Sequence, residues 1–140
     1  MRALALAAIL AFATAGGAAA ADPTGTWVMS DGKVTVKLSK CRGESLCGHI
    51  VGLAEPVYKD GTKKIDKYNP NKSLQKRPLM GLALLQGMNP TGADKWKGAI
   101  YNPDDGKTYS ATMALQGSTM RVKGCVLGIL CKNNDFRRVN

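Results

Sequence analysis

The sequence predicts an all-β domain of eight short antiparallel strands with one long basic loop. Segments in which apolar and polar residues alternate recur between turn signals, as is typical of half-buried strands. Glycine occurs 16 times in 140 residues, above the usual share of about 7%, whereas glutamate occurs only at Glu44 and Glu55. This composition favours strands and tight turns over helices. The length fits one domain, and a hydrophobic fraction of 44% supports a folded core.

Three strands are predicted before the long loop. The first is Gly25–Met29, and the second covers residues 33–39. In the second, Val34, Val36 and Leu38 face one side and polar residues face the other, which indicates an antiparallel strand with one solvated face. The third strand covers residues 47–53.

Five more strands are predicted after the loop. They cover residues 80–88, Lys95–Asn102, 108–115, 119–125 and 135–139, with turns at 89–92, 102–106 and 116–118. The Asn-Pro-Asp-Asp-Gly sequence at 102–106 is a strong hairpin signal. Alternation places Trp96 and Ile100 on one strand face and Tyr101 on the other.

The long loop, residues 55–78, is basic and shows no strand alternation. It contains three prolines and seven basic residues against three acidic ones, and residues 71–76 can hold one helical turn. One interpretation is a solvated loop that confers solubility. The other is attraction to anions such as phospholipid headgroups, lipopolysaccharide phosphates or acidic polymers. The candidate anion-binding residues are Lys59, Lys63, Lys64, Lys67, Lys72, Lys76 and Arg77.

Residues 1–21 are predicted to be a signal peptide. Arg2 precedes an apolar stretch that ends in consecutive alanines, which supply a small-x-small cleavage site. A membrane anchor needs about 20 strongly apolar residues, and this stretch is short and rich in alanine. The expected mature protein is a single domain, residues 22–140, located in the periplasm or outside the cell, with no transmembrane span after cleavage.

The four cysteines are Cys41, Cys47, Cys125 and Cys131. An even number in an exported chain predicts disulfide bonds, and four cysteines allow three pairings. The pairs Cys41–Cys47 and Cys125–Cys131 are favoured because each brackets a turn. Structural zinc ligands and redox dithiols usually lie closer together in sequence, so zinc and redox chemistry are the weaker alternatives.

Eight strands can close into a barrel or form a sandwich. Two motifs favour the barrel, because Gly25-Thr26-Trp27 opens the first strand and Arg138 lies in the last. A guanidinium stacked on the Trp27 ring would join these two strands. This arrangement resembles the calycin pattern, in which a Gly-x-Trp near the start meets an arginine from the final strand.

The mature chain resembles, more specifically, a bacterial exported family known as domain-of-unknown-function family 2147. The resembling stretches are residues 25–27, 47–50, 69–70, 77–81, 96–109 and 136–139. This sequence has Phe136 where the family commonly has tryptophan, so an aromatic residue is kept. The resemblance implies a small lipocalin-like barrel and an envelope location. It brings no established catalytic or binding residues.

The sequence offers no convincing catalytic or metal site. His49 is the only histidine; Glu44 is a candidate partner, but a position on a strand face is the favoured interpretation. Asp104 and Asp105 fit a hairpin, since adjacent residues point in different directions. The oxygen-bearing residues Asp60, Asp66, Asn69 and Asn71 lack calcium-loop spacing. We therefore predict no catalytic residue, no metal and no cofactor.

Two functions are predicted from different classes, with an enzyme as the weakest third. The first is a non-enzymatic envelope protein that binds a small apolar or amphipathic ligand inside the barrel; a packed core without a cavity is the alternative for the same residues. The predicted wall comprises Trp27, Val34, Val36, Trp96, Ile100, Tyr109, Met113 and Val122. The second is an interaction protein whose basic loop docks on an anionic envelope surface or partner. The net charge of +10 also fits nucleic acid, but predicted export and the absence of interleaved aromatic residues argue against it.

Overall fold

The computed structural model describes residues 22–140, so the predicted signal peptide at 1–21 lies outside the described residues. The described chain forms eight strands and one short 3₁₀ helix, Lys72–Leu74. The strands are β1 (Gly25–Met29), β2 (Val34–Arg42), β3 (Ser45–Leu53), β4 (Ala83–Gly92), β5 (Lys95–Asn102), β6 (Lys107–Gln116), β7 (Thr119–Val126) and β8 (Leu130–Arg138). Within residues 22–140, no helix has the length and apolar character to cross a membrane.

The sheet closes into a barrel, which decides against the sandwich. Each strand pairs antiparallel with the next, and β8 pairs with β1 so that Trp27 lies opposite Arg138. The Arg138 guanidinium carbon lies 4.4 Å from the centroid of the Trp27 ring. Its two terminal nitrogens donate to the carbonyl oxygens of Thr24 at 2.7 Å and Asp22 at 2.6 Å. The predicted stacking of Arg138 on Trp27 is confirmed.

β4 departs from the prediction at both ends. It begins at Ala83 and continues to Gly92, so the turn predicted at 89–92 is wrong. Pro90 fits in the strand because the β4–β5 register shifts before and after it, and such irregularities accommodate a residue without an N–H donor. The reversal follows at residues 93–94, where Asp94 has a φ of 58°.

β8 begins at Leu130 rather than at residue 135. In the first half of β8, Cys131 is followed by the polar residues Lys132, Asn133 and Asn134. The sequence there therefore lacks the apolar alternation that marks a strand. Pairing with β7 extends the strand, with Cys131 opposite Cys125. Tertiary pairing therefore overrides a weak local β preference.

Side chains fill the barrel interior. The most deeply buried apolar residues, each at most 1% exposed, include Trp27, Val36, Leu85, Met88, Met113, Met120, Val122 and Phe136. Even an interior glycine is closely surrounded, because a Cβ added to Gly98 would lie 2.6 Å from the Gln86 carbonyl oxygen and 2.7 Å from the Met88 sulfur. Both distances are shorter than a van der Waals contact, so this position accepts only glycine without rearrangement.

The strand connections fall at two ends of the barrel because the strands run alternately up and down. The connections at residues 30–33, 54–82, 103–106 and 127–129 share one end, called the loop end. The turns at 43–44, 93–94 and 117–118 lie at the opposite end, where β1 starts and β8 finishes. That end is called the terminal end.

One disulfide bond lies at each end. Cys41 pairs with Cys47 around the turn at the terminal end, and Cys125 pairs with Cys131 around the hairpin at the loop end. The favoured pairing is confirmed. No cysteine among residues 22–140 is free.

Candidate functional site

The long loop, residues 54–82, folds back on itself at the loop end. Isolated β-bridges join Val57 to Lys63 and Ile65 to Pro78. The predicted helical turn is present as the 3₁₀ helix Lys72–Leu74, whose N-terminus is capped by the Asn71 side chain. The loop therefore presents its charged side chains on an ordered backbone.

A buried polar cluster fastens the loop to the outer face of β5. Asp66 is fully buried. It accepts hydrogen bonds from the Tyr101 hydroxyl at 2.5 Å, the Asn69 amide at 2.8 Å and the Arg77 Nε at 2.9 Å. Alternation placed Tyr101 correctly on the outer face, but the loop covers that face and leaves Tyr101 only 4% exposed.

The environment of Asp66 favours its ionised form. Burial by itself raises the pKa of the Asp66 carboxyl, but the hydrogen bonds from Tyr101, Asn69 and Arg77 outweigh it, so the pKa lies below the usual value. Burial, followed by the hydrogen bond to Asp66, raises the pKa of Tyr101 to about 12. Asp66 is therefore a charged anchor of the loop rather than a proton donor for catalysis.

The β5–β6 hairpin also abuts the loop. Gly106 has a φ of 69°, and a Cβ there would overlap the carbonyl oxygen of Tyr68. Only glycine allows both the turn and this close approach. The hairpin that the Asn-Pro-Asp-Asp-Gly sequence predicts is therefore also a docking point for the long loop.

The seven predicted anion-binding residues have different environments. Five are exposed: Lys59, Lys63, Lys67, Lys72 and Lys76. Lys64 pairs with Glu55 at 3.5 Å, and Arg77 pairs with the buried Asp66. These two positive charges are thus paired with carboxylates of the same loop, whereas the other five basic side chains are exposed.

Lys67 is exposed but held in place by two aromatic rings. Its Nζ lies 5.1 Å from the ring centroids of both Tyr58 and Tyr68. A cation at this distance from an aromatic face is attracted by the ring quadrupole. The positive charge of Lys67 is therefore fixed on the loop surface.

The eight predicted ligand-binding residues divide into a core group and a rim group. Trp27, Val36, Trp96, Met113 and Val122 are buried in one apolar cluster. Val34 and Ile100 are partly buried and pack against that cluster near the loop end. Tyr109 is half-buried at the rim, and its hydroxyl donates to Asp105.

Two open grooves on the barrel exterior have pocket-like volumes. One of about 320 Å³ lies along β5, β6 and β7, with Lys95, Arg121 and Lys123 among its lining residues. The other, about 560 Å³, lies at the loop end. Pro70, Lys107, Tyr109, Cys125 and Leu127 are among its lining residues.

The β7–β8 hairpin ends in a cluster of exposed apolar residues. From the sequence, this segment was predicted only to form a turn. Its members are Val126, Leu127, Ile129 and Leu130, called the apolar tip. The Cys125–Cys131 disulfide closes the hairpin below them. The signal was present in the sequence, because a short turn between two cysteines carries four large apolar residues and only one glycine.

The catalytic candidates do not assemble. His49 lies half-buried on β3, and its proposed partner Glu44 pairs with Lys40 at 3.4 Å. Asp105 accepts hydrogen bonds from the Lys107 N–H and the Tyr109 hydroxyl, and Asp104 is exposed in the turn. Among residues 22–140, no group of three or more His, Cys, Asp or Glu side chains is arranged to hold a metal ion.

Comparison with known proteins supports the fold and the family. A family model described as "Uncharacterized protein conserved in bacteria (DUF2147)" matches residues 25–138. The chain is similar in structure to the subject of "Protein HP1028 from the human pathogen Helicobacter pylori belongs to the lipocalin family", with a TM-score of 0.71 and 23% sequence identity over 85% of this chain and 84% of that chain. This similarity shows a lipocalin-like fold. No curated protein sequence matches the chain.

Proposed function

The chain belongs to the DUF2147 family of bacterial proteins, and we propose that it is an exported, non-enzymatic envelope protein that docks on an anionic lipid surface through its loop end. The observation that carries the proposal is the set of five exposed lysines on one ordered loop. The two disulfides support an oxidising compartment. A lipocalin-like barrel suits binding rather than catalysis.

The charge of the loop is available to an outside partner. Of its three acidic residues, Asp66 is buried against Arg77 and Glu55 pairs with Lys64, which leaves Asp60 as the exposed acid without a salt bridge. Each lysine near an anionic bilayer contributes on the order of 1 kcal/mol to binding. Five exposed lysines on one loop therefore supply up to several kcal/mol at low ionic strength.

A ligand inside the barrel is the second candidate function. Its support is the lipocalin-like fold together with the partly buried apolar residues Met29, Val34, Leu53 and Ile100, which pack above the core near the loop end. The filled interior below them argues against a ligand that enters deeply, because a drug-sized ligand needs a pocket of about 300 Å³ or more. Docking through the loop is therefore the better-supported function.

The test compares two sets of lysines on the mature protein. Binding to phosphatidylcholine vesicles with 30% phosphatidylglycerol is measured by co-sedimentation at low salt. Changing Lys59, Lys63 and Lys72 together to Gln should weaken binding about 30- to 150-fold. Binding should also weaken strongly as salt rises, because the Debye length falls from about 10 Å at 0.1 M to about 3 Å at 1 M.

The matched control changes Lys37, Lys95 and Lys97 to Gln. These lysines lie on the barrel wall outside the loop and are also exposed, so the net charge changes equally. The control should bind at least several times more tightly than the loop variant. Equal binding by the two variants, or no vesicle binding by the wild-type protein, would refute docking through the loop.

A further inference from the structure

The apolar tip contains the three most exposed large apolar side chains among the described residues. Leu127 is 90% exposed, Ile129 82% and Leu130 73%. Single exposed apolar residues are normal on protein surfaces, whereas a contiguous group marks a binding site. The tip lies at the end of a two-stranded hairpin at the rim of the barrel, and Val126 and Leu127 also line the loop-end groove.

The turn has leucine at position 127, where the backbone conformation favours asparagine or glycine. Ile129 N–H donates to the Val126 carbonyl at 3.1 Å. The two central residues, Leu127 and Gly128, have φ values of 53° and 69°. Positive φ at both positions is the pattern of the type I′ turn, which favours Asn or Gly at the first position. Leucine adds no turn stability there, so its side chain has another use.

The loop end carries charges of both signs, including Asp104 and Asp105 in the neighbouring hairpin, with lysines in excess. Lys132 directly follows Cys131, and Lys123 precedes Cys125 by two residues. Lys107 lines the same loop-end groove as Val126 and Leu127. The five exposed lysines of the long loop belong to the same end of the barrel. A complementary partner is therefore apolar where it meets the tip and negatively charged around it.

We propose that the apolar tip inserts into an anionic lipid bilayer when the protein docks, and that it enters the leaflet that faces the protein. This inference rests on the proposed docking function and names the element that enters the lipid. A bilayer presents phosphate charge at its surface and acyl chains directly beneath, which matches an apolar tip with lysines in both strands of its hairpin and with Lys107 in the adjoining groove. The disulfide holds the two strands together at the base of the tip, so little conformational freedom is lost on insertion.

The main test is the substitution Leu127→Asn. Asparagine suits the left-handed turn position, so the fold should be at least as stable as in the wild-type protein. Binding to vesicles with 30% phosphatidylglycerol should weaken about tenfold, and the double variant Leu127→Asn/Ile129→Asn should weaken it further. The control Val139→Asn makes the same change of polarity at the terminal end, where Val139 is 54% exposed, and should bind as wild type.

A second measurement reports insertion directly. In Ile129→Trp, the new tryptophan emission should be quenched by vesicles whose acyl chains carry bromine. Trp27 and Trp96 are buried in the barrel, so the wild-type protein should show little quenching. Quenching of the Ile129→Trp protein beyond this background supports insertion, and its absence in protein that co-sediments with the vesicles refutes insertion.

The outcomes separate this inference from the proposed function. If the wild-type protein binds anionic vesicles and Leu127→Asn/Ile129→Asn binds equally well, docking stands and insertion of the tip is refuted. If the wild-type protein does not bind vesicles, both proposals fail. That result, together with binding of the tip to a purified protein partner, would assign the tip to a protein interface instead.

Discussion

The two ends of the barrel are stabilised in different ways. At the terminal end, the first and last strands are joined by Arg138, which stacks on Trp27 and donates to two backbone carbonyls. Thr26 N–H also donates to the Asn140 carbonyl at 2.9 Å. The connections there are tight turns. This end joins the first and last residues of the described chain.

At the loop end, stability comes from one buried carboxylate and its donors. Asp66 holds Tyr101, Asn69 and Arg77 together, and around this cluster the chain exposes lysines and an apolar tip. The comparison indicates that the terminal end closes the barrel and the loop end carries the binding residues, because loops commonly present binding residues on a rigid scaffold. We therefore expect changes at the terminal end to affect stability without affecting binding, and changes of the exposed lysines or the apolar tip to affect binding.

The largest effect on stability is expected from Asp66→Ala. It removes the acceptor of three hydrogen bonds and leaves buried donors unpaired. The free energy of unfolding should fall by about 3 kcal/mol, the lower part of the range for a broken buried ion pair, because the Arg77 side chain is 38% exposed. Chemical denaturation measures the loss, and the exposed Asp104→Ala is the control. Limited proteolysis should cut the long loop first, whereas simultaneous cleavage throughout the barrel would contradict a local anchor.

Removal of each disulfide gives the next largest effect and compares the ends directly. Both pairs have a sequence separation of 6, so loop entropy predicts an equal loss of about 2 kcal/mol for Cys41→Ser/Cys47→Ser and Cys125→Ser/Cys131→Ser. Both variants should still fold. Vesicle binding should weaken only in the second, which loosens the apolar tip. An equal loss of binding in the first variant would contradict the division between the ends.

Arg138→Lys tests the terminal end with a smaller change. Lysine keeps the charge but lacks the planar guanidinium that stacks on Trp27 and reaches two carbonyls. The free energy of unfolding should fall by about 1 to 2 kcal/mol, with vesicle binding unchanged. Arg137 faces outward, opposite Val28, so Arg137→Lys should be neutral within about 0.5 kcal/mol. A greater loss from Arg137→Lys would mean that the β1–β8 register is wrong.

The smallest effect is expected in the pH dependence of stability. The pKa of Asp66 is lower in the folded protein than the ordinary carboxyl value, so the unfolded chain binds protons first as the pH falls. The contribution of Asp66 is complete above about pH 5 and is lost as the pH falls through the folded pKa. Denaturation curves between pH 3 and 6 should therefore be less pH-dependent in Asp66→Asn than in the wild-type protein. Identical slopes would refute the assignment of Asp66 as an ionised anchor.

Local patterns in the sequence were sufficient for much of the fold. The strands Gly25–Met29 and Lys95–Asn102 were predicted with their observed bounds, since alternation and turn residues are both local signals. The Trp27–Arg138 contact was expected from the resemblance of the chain ends to the calycin pattern and is present. The predictions failed at the end of β2, which continues to Arg42. They also failed for β4 and β8, where pairing with a neighbour extended a strand across Pro90 or through polar residues.

The functional surface was predicted less completely. The basic loop was recognised from its composition, but composition does not distinguish Lys59, which is exposed, from Arg77, which pairs with Asp66. Nor did alternation show that the outward face of Tyr101 is covered. These distinctions depend on how residues far apart in the chain meet.

The sequence by itself determined the all-β class, the eight strands and the favoured cysteine pairs, because each depends on residues within a few positions of one another. Only the tertiary structure decided that the barrel is filled, that Asp66 anchors the loop, and that the apolar tip and five exposed lysines share one end. The physical reason is that burial and the contacts of the loop depend on residues that are far apart in the chain. Pairing of the strands around the barrel and folding of the loop onto β5 bring together side chains that no local pattern relates.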